Sequence, residues 1–326
     1  MPLRLAFCIA APAALLSGAA TGQGSTATFP SRPVTMIVST SPGGPNDAEA
    51  RLYATKMTEL MGQSFILDFK PGAGSTIGAA YVAKSPPDGY TLLTAGASFT
   101  VFPALYPDLT FDTIKDLTAV SLMSLRSSVL LASKSFAPQG IREYLAYAKA
   151  NPGKINFATS GAGGANHLAG AWLHSMTDTK VTFVHYKGTG PLMVDLLAGR
   201  VDVAPTSLIT SVPLVKSGKV RALAMMNDQQ SALLPGVTSV AQQGVTGYNP
   251  ATWFGILAPG ATPAAIVNKL AEGFIKVANS PDVAGAMEAD GGTMVGSTPA
   301  EFRKVIVNDT ARWRTVIREA GIRLEP

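Results

Sequence analysis

The 326-residue chain has few of the residue types that build metal, redox and catalytic centres. It contains one cysteine, Cys8, and three histidines, His167, His174 and His185. A single cysteine excludes an internal disulfide. Three histidines without thiolates beside them are a marginal set for zinc, which requires three or four converging ligands. We therefore predict neither a disulfide nor a bound metal.

Charge and long apolar runs are also scarce. Charged residues make up 14% of the chain, and scattered lysines and arginines carry the net charge of +5. No basic run is interleaved with aromatic residues, so nucleic acid is not an expected partner. No segment after the N-terminal region reaches the roughly 18 apolar residues of a membrane helix, so no membrane insertion is expected. Hydrophobic residues make up 47% of the chain, which indicates a large folded core.

The N-terminal region has the pattern of a secretory signal peptide. Arg4 precedes an apolar stretch, residues 5–16, that is too short to span a bilayer, and small residues follow it. We predict that residues 1–27 are removed on export and that the mature protein is periplasmic. Cys8 lies inside this segment, so the mature chain would contain no cysteine.

Beyond this leader, apolar strands alternate with amphipathic helices, which predicts a mostly parallel α/β architecture. The apolar run 119–133 is long enough to pass from one lobe to another. We predict two lobes around a central ligand cleft, joined by hinge strands. Residues 28–125 and 221–326 would form lobe 1, and residues 126–220 would form lobe 2. The C-terminal helices are expected to pack on lobe 1.

A strand, a glycine-rich turn and a helix follow one another in two places. The first turn, 41–46, precedes a helix that opens near Asp47, and the second turn, 160–164, precedes a helix that opens near Asn166. Backbone N–H groups at a helix start lack partners within the helix and lie at the positive end of its dipole. Two such ends facing a cleft predict a clamp for a small anion. The alternative is a pair of ordinary turns that bind nothing.

A third glycine-rich loop, 72–78, also follows a strand and opens a helix. Its spacing, G-x-G-x-x-x-G, departs from the dinucleotide fingerprint, and no acidic residue ends a second strand about 20 residues further on. We therefore expect this loop to present backbone amides to the cleft, and we expect no cofactor.

Individual polar side chains add to these turns. Tyr186 and Lys187 end a strand before a helix, where open α/β sheets bind ligands, although Lys187 could equally be a solvated surface residue. Arg126 lies within the apolar run, where an unpaired charge is costly to bury. If Arg126 faces the cleft, its planar fork would suit a second ligand carboxylate. His167 is expected to orient the second turn, and Asp47 to pair with Arg51.

Catalysis is not predicted. The nucleophile elbow G-x-S-x-G is absent, and no histidine follows His185, which leaves few arrangements for a serine triad. An exported hydrolase that uses the same cleft is the alternative function, as is a periplasmic ligand sensor for a signalling receptor.

Short motifs occur in order along the chain and cover essentially all of it after the leader. They occupy residues 29–33, 41–44 with Asp47 and Arg51, 70–74 with 77–78, 87–92, 160–163 with 167–170, 186–188, 218–224, 253–255 with 257–259, and 320–322. Together they resemble the motifs of the extracytoplasmic solute-binding receptors of tripartite tricarboxylate transporters, the Bug-type receptors.

The resemblance implies a two-lobed type II periplasmic-binding-protein fold without enzymatic activity. It implies that a small carboxylate, such as a di- or tricarboxylate or an aromatic acid, is delivered to a membrane transporter of the tripartite tricarboxylate type. One ligand carboxylate would be held by backbone amides and ordered waters in loops that match 42–44, 72–75 and 160–167. A monomer is expected.

The predicted binding set combines the turns, the single side chains and three positions, Ser98, Thr206 and Ser207, that the resemblance alone adds. The chain departs from the family pattern at 39–41, at 204–207 and at Arg126, which leaves the choice of acid open. The predicted ligand-binding residues are Pro42, Gly43, Gly44, Asp47, Gly72, Ala73, Gly74, Ser75, Ser98, Arg126, Ser160, Gly161, Gly163, Gly164, Asn166, His167, Tyr186, Lys187, Thr206 and Ser207.

Overall fold

The structure is a computed structural model. The predicted signal peptide, including Cys8, lies outside the residues that it describes. Within the described ranges, no helix combines the length and apolar character needed to cross a bilayer. The described ranges are 29–228, 231–250, 252–289 and 291–323.

Strands and helices alternate along the described chain, as the sequence pattern predicts. The strands are β1 (Val34–Val38), β2 (Phe65–Phe69), β3 (Thr91–Gly96), β4 (Leu117–Arg126), β5 (Ser128–Ser133), β6 (Asn156–Thr159), β7 (Thr182–His185), β8 (Val203–Ser207), β9 (Val220–Met225), β10 (Thr252–Pro259) and β11 (Gly292–Met294). The helices are α1 (Pro45–Met61), α2 (Thr76–Ala83), α3 (Phe102–Leu105), α4 (Ile141–Ala150), α5 (Ala165–Thr177), α6 (Thr189–Leu197), α7 (Leu208–Lys216), α8 (Ala264–Ala278), α9 (Pro281–Ala289) and α10 (Pro299–Glu319).

The strands form two sheets, in the orders β11-β4-β10-β3-β1-β2 and β7-β6-β8-β5-β9. In the first sheet β1 pairs in parallel with β2 and β3, whereas β10 runs antiparallel to β3 and β4. In the second sheet β6 is parallel to β7 and β8, whereas β5 is antiparallel to β8 and β9. The expectation of mostly parallel sheets is therefore wrong, because the strands next to the crossings between the lobes, β4, β5, β9 and β10, pair antiparallel with their neighbours.

The chain crosses between the sheets along the predicted apolar run. β4 belongs to the first sheet and β5 to the second, and only Ser127 separates them. The return crossing falls later than the boundary expected between residues 220 and 221. Strand β9 pairs with β5, so sheet membership changes between Met225 and Thr252. The reason is burial: Val220 and Leu223 fill the core of the second lobe.

Helices cover both faces of the first sheet. Tyr53 of α1 and Phe274 of α8 pack edge to face on one side, and Phe302 of α10 packs against Trp253 on the other, with ring centroids 5.1 Å apart. The C-terminal helices thus pack on the first lobe, as expected. Helix α10 begins with a capping box, in which Thr298 and the third residue of the helix bond each other's backbone N–H.

The lobes also touch through helices. Trp172 of α5 lies 5.7 Å from Trp313 of α10 and 5.1 Å from Tyr248, measured between ring centroids. Leu168 and Ala171 of α5 join the core of the first lobe. The lobes are therefore held together by an aromatic contact as well as by the crossing strands, and α5 links that contact to the cleft.

We predict that Gly255→Ala destabilises the fold. Gly255 lies on β10, where an added Cβ would collide with the ring of Phe302. Overpacking of this kind costs about 1–3 kcal/mol of unfolding free energy. Gly285 on α9 is the matched control, because nothing lies near its missing Cβ, and Gly285→Ala should leave stability unchanged or raise it by about 0.5–1 kcal/mol. Urea unfolding followed by circular dichroism measures both. Equal effects at the two sites would contradict this packing.

Candidate functional site

A cavity of about 330 Å³ lies between the lobes, and residues of both lobes line it. A smaller space of about 50 Å³ adjoins it and shares Ala165 and Thr252 with it. The larger cavity is lined by Pro45, Arg126, Ser127, Ser128, Ala165, Asn166, Thr189, Ser207, Leu208, Ile209, Thr252, Phe254 and Gly291.

Four helices begin at this cavity. Pro45, Ala165, Thr189 and Leu208 are the first residues of α1, α5, α6 and α7, and all four line it. A helix start presents backbone N–H groups that its own helix cannot bond, together with the positive end of its dipole. At α7 two of these groups have other acceptors: the N–H of Leu208 donates to the carbonyl of Ser127 at 3.0 Å, and that of Thr210 to the hydroxyl of Ser207 at 3.4 Å. Backbone groups alone therefore make the cavity suitable for binding an anion.

The first turn is held by a side chain of the helix that follows it. The N–H of Gly43 donates to Oδ2 of Asp47 at 2.8 Å, and Oδ1 of Asp47 lies 2.8 Å from Nε of Arg51. The predicted pairing of Asp47 with Arg51 is confirmed. Asp47 also uses the amide of Gly43, so this predicted donor is already bonded within the turn. The N–H groups of Asn46 and Asp47, in the first turn of α1, have no acceptor within the helix itself.

The second turn is built in the same way. The N–H of Gly163 donates to Nδ1 of His167 at 3.0 Å. His167 occupies the third position of α5, as Asp47 does in α1. This bond gives His167 the contact expected of a residue that orients the turn, and it requires Nδ1 to be unprotonated.

An asparagine at the second position ties each helix start to a neighbouring strand. Nδ2 of Asn46 donates to the carbonyl of Thr94 on β3 at 3.3 Å, and Nδ2 of Asn166 donates to the carbonyl of Pro205 on β8 at 2.9 Å. The two helix starts thus share a glycine cap, an asparagine anchor and a side-chain acceptor. These bonds hold both helix starts, whose first residues line the cavity, against their sheets.

Burial sets the charge state of His167. The residue is 8% exposed, and its ring packs against His185 and Phe183, with centroid distances of 4.5 and 4.7 Å. Burial, with a smaller contribution from the charge of His185, lowers the pKa of His167 to about 4. The ring is therefore neutral at neutral pH, as the bond to Gly163 requires.

Arg126 lines the cavity, but its guanidinium is already paired with a carboxylate. Its Nε and Nη2 lie 2.8 and 2.6 Å from Oε1 of Glu49, and the Oγ of Ser124 lies 2.7 and 2.8 Å from the two Glu49 oxygens. The side chains of Glu49 and Arg126 are 3% and 13% exposed. Glu49 is not among the predicted residues, although its position four residues before Tyr53 places it on the buried face of α1.

Other predicted residues fall into two groups. Asn166 and Ser207 line the larger cavity with Arg126, and Ser98, Gly163 and Gly164 line the smaller space. Pro42, Gly43 and Gly44 lead directly into Pro45 at the cavity wall, and Ser160 and Gly161 lead into α5.

The remaining predicted residues lie outside the walls of both spaces. The hydroxyl of Tyr186 donates to Asp195 at 2.8 Å, and Lys187 beside it is exposed. The hydroxyl of Thr206 is bonded to Ser211 at 2.7 Å. In the loop 72–75, Gly74 packs beside Tyr106, and none of the four residues lines either space.

Several lining residues are not among the predicted ones. Thr189 follows the β7 strand and opens α6, so the rule that ligands bind where strands end could have identified it. Ser127 and Ser128 lie at the crossing between the sheets. Thr252, Phe254 and Gly291 come from distant parts of the chain, and no local motif marks them. In the described ranges, no group of three or more His, Cys, Asp or Glu side chains is placed to share a metal ion.

Comparison with known proteins identifies close relatives of this chain. The model of the tripartite tricarboxylate transporter family receptor matches residues 49–322. Protein BugT of Bordetella pertussis is 33% identical over 300 residues, which cover 91% of this chain and 92% of BugT.

Two solved structures have the same fold over nearly the whole chain. The R. palustris protein Rpa4515, solved with adipate, is 32% identical, with a TM-score of 0.75 over 91% of this chain and 100% of that one. A TctC solute-binding protein from Polaromonas is 25% identical, with a TM-score of 0.81 over 90% of this chain and 100% of that one. The predicted two-lobed α/β fold is confirmed.

We predict that His167 makes the protein less stable in mild acid. Its pKa is about 4 in the folded state and ordinarily 6.5, so the unfolded chain binds more protons between these values. The stability due to the neutral ring is complete above about pH 6.5 and is lost as the pH falls toward 4. His167→Gln should lower the slope of unfolding free energy against pH by up to about 1.4 kcal/mol per pH unit.

His174 serves as the comparison for this measurement. It lies between the hydroxyls of Tyr144 and Thr179, and burial lowers its pKa to about 4 as well. Urea unfolding between pH 7 and pH 4.5 should show a reduced slope in both His167→Gln and His174→Gln, whereas only His167→Gln should perturb the turn beside the cavity. A wild-type slope in His167→Gln would contradict the assignment.

Proposed function

Because the chain belongs to the tripartite tricarboxylate transporter receptor family, we propose that it captures a small carboxylate in the cleft between its lobes and delivers it to a membrane transporter of the same type. The protein is a solute-binding receptor rather than an enzyme. The hydrolase alternative is therefore set aside.

The convergence of four helix starts on one cavity carries this proposal. A carboxylate presents two oxygens that each accept hydrogen bonds, and backbone N–H groups at helix starts supply the donors. Ser127, Ser128 and Thr189 add hydroxyls to the same wall. A related receptor solved with adipate supports a carboxylic acid as the ligand class.

Capture would work by closure of the lobes. The β4–β5 crossing and the segment after β9 join the lobes and would act as hinges. Residues of both lobes line the cavity, so closure would bring both sets of residues onto the ligand. A ligand that bonds α1 of one lobe and α5 of the other favours the closed state by its differential affinity. The export pattern of residues 1–27 supports a periplasmic location, where such a receptor meets its transporter.

We predict that Ala165→Trp blocks binding. Ala165 is exposed, opens α5 and lines both spaces of the cleft, so an indole there would occupy the volume that the carboxylate needs. Calorimetric titration with a panel of mono-, di- and tricarboxylic and aromatic acids should find a ligand for the wild type. Its affinity should fall at least about tenfold in the variant, which corresponds to roughly 1.4 kcal/mol.

Ala264→Trp is the matched control for this test. Ala264 is also an exposed first residue of a helix, α8, but it does not line the cleft. The control should bind like the wild type. Failure of every acid to bind the wild type, or wild-type affinity in Ala165→Trp, would refute the proposed function.

A further inference from the structure

We infer that the buried pair of Glu49 and Arg126 makes this receptor select acids with one carboxylate over acids with two. The inference rests on the proposed function, since it concerns the far end of the same ligand.

Arg126 is the only formally charged residue among the described residues that line the cavity. Its guanidinium would be the obvious partner for a second ligand carboxylate, as the sequence alone suggests. Two of its nitrogens, however, already lie within 2.8 Å of Oε1 of Glu49. Its charge is therefore compensated before any ligand enters.

Glu49 is held too firmly to exchange its partner for a ligand. The hydroxyl of Ser124 lies within 2.8 Å of both Glu49 oxygens, and only 3% of the Glu49 side chain is exposed. A ligand carboxylate that displaced Glu49 would leave a buried charge without its counter-ion, which is strongly unfavourable. A carboxylate that approached without displacing Glu49 would meet a guanidinium whose charge Glu49 already balances. It would gain less from this guanidinium than from an unpaired one, and the loss of its own hydration would not be repaid.

Beside its uncharged polar groups, this wall has an apolar surface that suits an uncharged tail. Phe254, Leu208 and Ile209 line the cavity with Arg126, and the Arg126 guanidinium lies 5.8 Å from the centre of the Phe254 ring. Leu208 packs against Gly291, which has no side chain to add polarity. The helix starts can hold one carboxylate, and the aliphatic and aromatic surface can hold a hydrocarbon tail or an aromatic ring.

The test uses acids that differ only at the far end. Hexanoate and adipate have six carbons each, and adipate carries a second carboxylate where hexanoate ends in a methyl group. Benzoate and terephthalate form an aromatic pair of the same kind, and pairs with four to eight carbons cover other lengths. Calorimetric titration of the wild type at neutral pH should show the monocarboxylate of the best-bound pair binding at least about tenfold more tightly.

The outcomes separate the two proposals. If no acid of any pair binds, the proposed function fails. If acids bind but the dicarboxylate of the best pair equals or exceeds its monocarboxylate, the proposed function stands and the inference is overturned. This wild-type comparison needs no variant, so it decides the inference even where a substitution impairs folding.

Glu49→Gln tests the cause. It keeps the size of the side chain and removes the charge that compensates Arg126, so the ratio of dicarboxylate to monocarboxylate affinity should rise at least about tenfold. Glu301→Gln makes the same change in net charge at the start of α10, away from the cavity, and should leave the ratio as in the wild type. An unchanged ratio in a folded Glu49→Gln protein would overturn the inference.

Discussion

The hydrogen bond from a turn glycine to the third residue of the following helix sets the geometry of the cleft. Gly43 donates to Asp47 in one lobe and Gly163 donates to His167 in the other. Each bond closes the turn on itself, and the first residue of the helix that follows lines the cavity. The acceptors differ, one a carboxylate and one a neutral imidazole, yet the backbone arrangement is the same. The carboxylate binding that we propose would therefore depend on the backbone more than on charged side chains.

That arrangement gives the cavity a positive character without a free cation in its described walls. The one charged lining residue, Arg126, is bonded to Glu49, which is in turn bonded to Ser124. Anion attraction and charge selectivity are thus separate properties of the site. In our proposal the helix starts attract one carboxylate, whereas the buried pair of Glu49 and Arg126 disfavours a second one.

Much of this fold follows from local sequence patterns. The sequence predicts three features because each depends on residues close together in the chain. They are the alternation of strands and helices, the crossing run 119–133 and the two glycine turns before helices. The sequence does not predict the pairing of Glu49 with Arg126, since these residues lie 77 positions apart in the chain. Tyr186 and the loop 72–75 illustrate the reverse case. Their sequences resemble site residues, but Asp195 and the packing beside Tyr106 hold them elsewhere.

Binding at the paired helix starts is tested most directly by amide chemical shifts. In a titration of ¹⁵N-labelled protein with the best-bound acid, the amides of Asn46, Asp47, Asn166 and His167 should shift most. These amides lie at the first turns of α1 and α5, one in each lobe. Saturable shifts at both helix starts would support a carboxylate held between them. Saturable shifts confined to one lobe, or centred on the loop 72–75, would contradict it.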